Sequence, residues 1–454
     1  MSNVLTYPAY KKTDIPWVGD IPEHWELVPC RSIVENIVEK NHDGEVQNYL
    51  SLMANVGVIR YEDKGDIGNK KPDDLTKCKI VRKGQLVINS MNYAIGSYGM
   101  SPYDGVCSPV YIILQAKKNV LLERYGLRVF ENSPFQKHLA TFGNGILAHR
   151  AAIGWDDIKG QYIPLAPINE QEKILQYLDY ETTKIDNLIN KQQQLIKLLV
   201  EKRQAVINHA VTKGLNFKAP MKDSGVEWLG KVPEHWEELS IRRVLHKIEQ
   251  GSSPLAQNRA PQLGEFGVLK ISSVKKGNFY AHESKTLDSI TQYDARYKVT
   301  NGDLLVTRAN TPSLVADTCV VNKEPKSPTM MCDLIYRLVT TSRIDNHFLC
   351  MWLLSDFGRM QVESDARGSS MTMAKVSQEH IKAWITILPP LSEQRDIVAY
   401  LENADKKFRY LTDRAEQAIE LMQERRTVLI SAAVTGKIDV RSWKKPEVSE
   451  EDVA

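Results

Sequence analysis

A chain of 454 residues, 42% of them apolar, is long enough for two or three domains with full cores. Its 59 basic and 56 acidic residues leave a formal net charge of +3, so any contact with nucleic acid has to come from local patches and not from a global field. Six cysteines without Cys-x-x-Cys spacing, no basic-then-apolar leader and no apolar run of membrane-spanning length point to reduced thiols, a cytoplasmic location and no membrane contact.

In chain order, residues 1–28 hold Trp17-Val-Gly-Asp-Ile-Pro-Glu-His-Trp25, which returns as Trp228-Leu-Gly-Lys-Val-Pro-Glu-His-Trp236 inside residues 223–238. We refer to the two copies as clips. His24 and His235 within them read as packing groups, since neither has a Cys, an Asp or a second His at ligand spacing. Residues 29–166 form a mixed domain. Runs at 49–53, 56–61, 85–89 and 110–115, broken by Gly and Asp, predict strands; a helix follows over 121–130, and the loop Gly143-Asn-Gly145 precedes a last strand at 162–165. Residues 167–213 read as one long helix and 214–238 as a linker with the second clip. Residues 239–388 repeat the mixed plan, with strands at 267–274, 302–307 and 334–339, a helix over 346–361 and the loop Arg367-Gly-Ser-Ser370. Gly84-Gln-Leu-Val-Ile88 parallels Gly302-Asp-Leu-Leu-Val306, and Tyr111 parallels Tyr336. A second long helix over 389–436 and a tail, 437–454, complete the chain.

The long helices are one sequence written twice. The first opens Pro167-Ile-Asn-Glu-Gln171 and the second Pro390-Leu-Ser-Glu-Gln394, an offset of 394 − 171 = 223 that also aligns Arg203 with Arg426, Ile207 with Ile430 and Ala210-Val-Thr212 with Ala433-Val-Thr435 without a gap. The clips repeat at 228 − 17 = 211, so the second intervening domain is 223 − 211 = 12 residues longer. Each helix carries heptads. One seam position falls at Leu178, Ile185, Gln192, Leu199 and Val206, and its partner is assigned to Ile174, Glu181, Leu188, Leu195, Lys202 and His209. In the second helix the first position reads Leu401, Phe408, Ala415, Met422 and Leu429, and its partner Ile397, Ala404, Leu411, Ala418, Arg425 and Ala432. Asn169 and Ser392 are expected as N-caps. At about 1.5 Å per residue each helix is a rod of roughly 60 Å. These features predict an α+β chain: two mixed α/β domains separated by two long helices that form an antiparallel coiled coil, with a pseudo-twofold internal repeat. Because the second clip directly follows the first helix, the first clip is expected to dock beside the end of the second helix.

Catalytic signatures are missing from the sequence. Gly225-Val-Glu-Trp-Leu-Gly230-Lys231 imitates a phosphate-binding loop, but Val232 stands where a magnesium-binding hydroxyl is needed, and the stretch lies in a clip. Neither Gly-x-Ser-x-Gly nor His-Glu-x-x-His occurs, nor the Asn/Asp-Pro-Pro-aromatic tetrapeptide of amino-methyltransferases; Leu388-Pro-Pro-Leu391 is a helix lead-in. The acidic pairs Asp73-Asp74 and Asp156-Asp157 lack a Glu-x-Lys nuclease partner. The chain reads as non-catalytic, with no metal site.

Two dissimilar domains alternating with two Pro-x-x-Glu-Gln helices, each domain introduced by Pro-Glu-His-Trp, resemble the specificity subunit of type I restriction-modification systems over essentially the whole chain. The resemblance implies that each mixed domain is a target recognition domain reading one half of an asymmetric, bipartite site in double-stranded DNA. It implies that the helices set the half-site spacing, on the order of one duplex turn. Two modification (methyltransferase) subunits dock on them, with Glu170, Gln171, Glu393 and Gln394 as candidate docking residues, and two restriction (motor-nuclease) subunits complete the assembly. S-adenosylmethionine, ATP and Mg are expected on those partners and no cofactor on this chain. Candidate DNA-binding residues are Asn89, Ser90, Asn92, Tyr93, Ser97, Tyr98, His149 and Arg150 in the first domain. In the second they are Lys270, Ser272, Ser273, Lys275, Thr307, Arg308, Asn310, Arg367, Ser369 and Ser370, with Lys275, Lys276 and Arg367 assigned to phosphates. Two alternatives stand beside this: a self-sufficient methyltransferase or nuclease component, and a coiled-coil scaffold without sequence-specific DNA contact.

Overall fold

The computed structural model describes residues 6–67, 70–93, 96–143, 152–366 and 373–446. The chain divides into two compact units, residues 1–192 with 416–454 and residues 193–415.

In the first unit, strands Val34–Asn36, Tyr111–Ala116, Leu86–Asn89 and Tyr98–Met100 lie in that order in one antiparallel sheet. Side chains alternate across it, as the strand period requires. Leu86, Ile88, Ile112 and Leu114 face a core shared with helices α1 (Glu123–Phe130) and α2 (Ser133–Ala140), whereas Val87, Tyr111 and Ile113 pack on the hairpin Leu50–Met53/Gly57–Arg60. A short helix, α3 (Trp155–Lys159), precedes strand Tyr162–Leu165. That strand pairs with Glu26–Pro29, returning the domain to its clip before the long helix α4 (Ile168–Lys213) begins.

The second unit repeats the plan. Strands Leu245–Gln250, Ile335–Thr340, Leu304–Thr307 and Thr318–Val320 lie in the same relative order, and a second sheet built from Ala256–Gln257, Ser284–Leu287, Gly267–Leu269 and Thr329–Met330 is added. Helices α5 (Asn346–Leu354), α6 (Asp356–Ala366) and α7 (Gln378–Ala383) follow. Strand Ile385–Leu388 then pairs with Glu237–Ser240 ahead of α8 (Leu391–Val434).

Four details depart from the sequence reading. The helix expected over 346–361 is two helices, because Ser355 is extended (φ −69°, ψ 162°) and its Oγ accepts the Gly358 N–H at 3.2 Å. The strand expected over 267–274 ends at Leu269 and gives way to a 3-10 turn, Ile271–Ser273. Tyr111 pairs with Asn89 while Tyr336 pairs with Val306, so the two tyrosines are one register apart and project into different cores. Asn169 and Ser392 are not caps: the Gln171 N–H donates to the Pro167 carbonyl at 2.9 Å and the Gln394 N–H to that of Pro390 at 3.0 Å, so each helix starts straight after its proline.

The long helices pack antiparallel. In the first unit Ile174, Leu175 and Leu178 near the start of α4 share a core with Ile430, Ala433 and Val434 at the end of α8; in the second, Ile207, Ala210 and Val211 meet Ile397 and Leu401. Ion pairs Arg426–Asp186 (3.1 Å) and Arg203–Asp405 (2.6 Å) flank these contacts. The seam containing Leu178 and Ile185 is as expected, but its partner is displaced by one residue, to Leu175, Thr182, Ile189, Ile196, Arg203 and Ala210 in α4. In α8 it runs through Val398, Asp405, Thr412, Ile419, Arg426 and Ala433. Leu188 and Leu195, assigned to the seam from sequence, are 44% and 42% exposed, and Leu411 is 47% exposed.

Candidate nucleic-acid interface and its helix clamps

Each repeated Glu-Gln pair is a clamp at the start of a long helix. In the first unit Glu170 accepts from Trp25 Nε1 at 2.9 Å and Tyr7 Oη at 3.0 Å and lies 2.6 Å from His24 Nε2. Gln171 turns the other way. Its Oε1 accepts the Leu122 N–H at 3.0 Å, and its Nε2 donates to the Val120 and Ala166 carbonyls at 3.0 and 2.8 Å, which fixes the lead-in to α1. The second unit repeats these links except the one from Tyr7, whose equivalent position is Lys218. Glu393 accepts from Trp236 Nε1 at 3.0 Å with His235 Nε2 at 2.8 Å, and Gln394 binds the Asp345 N–H and the Arg343 and Pro389 carbonyls at 2.8, 3.0 and 2.8 Å. An acidic side chain is favourable in a first helical turn, where free N–H groups concentrate positive potential. Tyr7 shows the environment: burial and the adjacent Glu170 carboxylate drive its pKa far above the usual phenol value.

The clip also meets the end of the other helix, as expected for the first unit. Tyr10 Oη donates to the Gly436 carbonyl at 3.1 Å and Lys437 Nζ to the Asp20 carbonyl. In the second unit Lys213 Nζ donates to the carbonyl of Lys231, the clip position equivalent to Asp20. Gly214 and Gly436 end their helices at φ +72° and +71°, left-handed values that glycine adopts without strain. A Cβ at Gly436 would lie 2.3 Å from Pro22, so both conformation and clearance require glycine there. The phosphate-loop lookalike leads into the short strand Lys231–Pro233 and not into a helix.

This geometry changes the reading of the four candidate docking residues. Glu170, Gln171 and Gln394 are buried, Glu393 is half-buried, and their polar groups are engaged within the chain. They shape the helix ends and do not themselves present a surface.

Burial also sorts the candidate DNA-binding residues. In the first unit Asn89, Tyr93 and Ser97 are buried: the Asn89 side chain accepts the Met91 N–H at 3.1 Å, and Tyr93 Oη donates to the Phe130 carbonyl. They build the loop rather than line its outside. Ser90, Asn92 and Tyr98 remain half-buried beside Met91, which is 47% exposed. In the second unit Ser273 and Thr307 are buried, donating to the Lys270 and Leu314 carbonyls. Ser272, Lys275 and Lys276 are exposed, and Lys270, Arg308 and Asn310 half-buried. His149, Arg150, Arg367, Ser369 and Ser370 lie outside the described residues. Strand Ala309–Asn310 pairs with Ala374–Lys375, which brings exposed Thr311, Ser313 and Lys375 to the same loop cluster. These three were missed, although Thr311-Pro-Ser313 is a turn signal in the sequence.

Among the described residues no group of three or more His, Cys, Asp or Glu is arranged to hold a metal ion, and no helix is long and apolar enough to cross a membrane.

Two β-rich domains, each clamped to a pair of antiparallel helix ends, define an internally duplicated α+β chain. The family model described as type I restriction modification DNA specificity domain matches residues 233–421. The chain is 21% identical to the putative type I restriction enzyme MjaX specificity subunit of Methanocaldococcus jannaschii, over 95% of this chain and 97% of that one. It is 26% identical to the EcoKI specificity subunit of Escherichia coli K12, over 53% of this chain and 50% of that one. Among solved structures, a chain from a study of complex assembly and conformational transition of the type I R-M system aligns with a TM-score of 0.68 at 16% identity, covering 91% of this chain and 98% of that one. The HsdS subunit from Thermoanaerobacter tengcongensis aligns at 0.50, with 16% identity over 92% and 98%. The chain is thus similar along nearly its whole length to specificity subunits of type I restriction-modification systems, and its second domain carries the match to the DNA specificity domain of that family.

Proposed function

We propose that this chain reads an asymmetric, bipartite DNA site, one half with each domain, and docks two adenine-methylating modification subunits. Two restriction subunits add the nuclease, and S-adenosylmethionine, ATP and Mg reside on those partners. The observation that carries the reading is the contrast between frame and surface. One four-stranded sheet in each domain has the same strand order and the two clamps share their Trp, His and Gln links, while the exposed loops differ in sequence and length. Identical frames suit identical partners; unlike loops suit unlike base sequences.

In the first domain the base-reading candidates that remain accessible are Ser90, Asn92 and Tyr98; in the second they are Arg308, Asn310, Thr311 and Ser313. Lys275, Lys276 and Lys375, all exposed, are the residues we assign to phosphates. For the modification subunits we favour the apolar surface beside the second clamp, where Phe217 is 87% and Tyr400 47% exposed around an open cavity of about 570 Å³ that Lys202 and His209 also line.

Gel-shift of the chain assembled with its modification subunit separates this reading from a scaffold role. Selected duplexes carrying both half-sites should bind at least 100-fold more tightly than random duplexes, about 3 kcal/mol of discrimination. Sequence-blind binding would support the scaffold.

A further inference from the structure

The least ordinary backbone of the second unit lies beneath its exposed polar loops. Lys276 and Ala316 adopt φ of 47° and 53°, left-handed values that are strained for a residue bearing a Cβ. Asp317 adjoins both. It is 4% exposed, and its two carboxylate oxygens accept the Lys276 N–H at 2.9 and 2.8 Å while Oδ1 also accepts the Thr318 N–H at 2.9 Å. The Gly277 N–H donates to the Thr318 carbonyl at 2.9 Å. On the other side of Asp317 the chain folds back on itself: the Val315 N–H donates to the Thr311 carbonyl at 2.9 Å and the Ala316 N–H to that of Thr307 at 3.0 Å. Arg359 of α6 holds this fold from below, donating from Nη1 to the Val315 carbonyl at 2.7 Å.

A second tether reaches the same turn from the long helix. Arg409 Nη2 donates to Asn278 Oδ1 at 2.8 Å, Asn278 Nδ2 donates to the Lys276 carbonyl at 3.0 Å, and Arg409 Nε is paired with Asp405 at 2.6 Å. A buried carboxylate is an expensive way to fasten a turn if stability alone is at issue. Burial does push the Asp317 pKa up, against the pull of the amides and of Arg359.

We propose that Asp317 is a positioning residue for DNA binding: it locks the turn bearing Lys275 and Lys276 against the loop bearing Asn310, Thr311 and Ser313, so that cations and base-reading groups meet the duplex as one rigid surface. This rests on the reading of the second domain as a DNA reader. Asp317 touches no DNA; Lys276, projected by a backbone conformation that Asp317 enforces, does.

The test is a salt titration of duplex binding by the chain assembled with its modification subunit, comparing wild type with Lys276→Ala, Asp317→Asn, the double variant and Arg409→Ala. Lys276→Ala should weaken binding on all sequences and lower the slope of log affinity against log salt by about one. Asp317→Asn keeps the size of the side chain but turns an amide N–H₂ toward the Lys276 N–H. It should lower the slope in the same way, weaken binding several-fold and leave the melting temperature at pH 7 no lower, since the buried charge is gone. The double variant should bind no more weakly than Asp317→Asn alone, and Arg409→Ala, at an exposed site, should give a smaller loss of the same kind. Wild-type slopes in both Asp317→Asn and Arg409→Ala, or losses that multiply in the double variant, overturn the proposal. If Lys276→Ala and Arg308→Ala also bind like wild type, what fails is the assignment of this domain to DNA.

Discussion

Glu170 and Glu393 do the same work in different degrees of shelter, with 7% and 25% of their side chains exposed. Truncating Glu170 to Ala strands the Trp25 indole and Tyr7 hydroxyl donors inside the first unit. Such orphaned groups cost about 1–3 kcal/mol each, so Glu170→Ala should destabilise the unit by about 2–4 kcal/mol in urea denaturation. Glu393→Ala, whose partners reach water more easily, should cost about half as much; equal effects would contradict the difference in burial. The cysteines make a second residue-scale prediction. All six are buried, and burial pushes the Cys30, Cys107 and Cys350 thiols up to about 12. Thiolate is the reactive form, so alkylation of these three at pH 7 should proceed only as fast as the fold opens, and mass spectrometry after timed labelling checks it.

At the scale of elements, the chain announces its long helices plainly and their seam only in part. The ungapped offset from Gln171 to Gln394 fixes the repeat, and Leu178, Ile185 and Leu401 mark one seam line correctly. The second line was misassigned because Leu188, Leu195 and Leu411 are apolar, although the structure exposes them; the half-buried Ile189 and Ile196 one residue later, and Ile419 one residue after Ala418, were the better signal. Helix substitutions separate the two assignments. Ile185→Ala should cost about 2–4 kcal/mol, as for a buried aliphatic residue, while Leu188→Ala should stay within about 0.5 kcal/mol. Strand positions were legible from alternation and glycine punctuation, but inward-facing polar residues such as Asn89, Ser273 and Thr307 were not, because each is satisfied by a backbone group two, three or seven residues away in a turn whose conformation the residue types alone do not specify. The Glu-Gln motifs show the same limit. Their repetition was visible, yet only the contacts with Trp25, Leu122, Trp236 and Asp345 reveal that they hold the molecule together.

For the whole molecule, the proposed function gives duplication and divergence separate tasks: the clamps and helices would preserve a frame, and the loops would differentiate two readers. If helix length sets the distance between half-sites, inserting one matched heptad into α4 and α8 adds about 10 Å of rise, close to three base pairs. Methylated half-sites should then be recovered with that longer spacing and unchanged base sequence. The division of labour between readers is tested most directly by mapping methylated adenines genome-wide in cells carrying the wild-type chain or Arg308→Ala with the same modification subunit. The account predicts a two-part asymmetric site for wild type and relaxation of one half alone for the variant; a symmetric site, or equal loss at both halves, would contradict it.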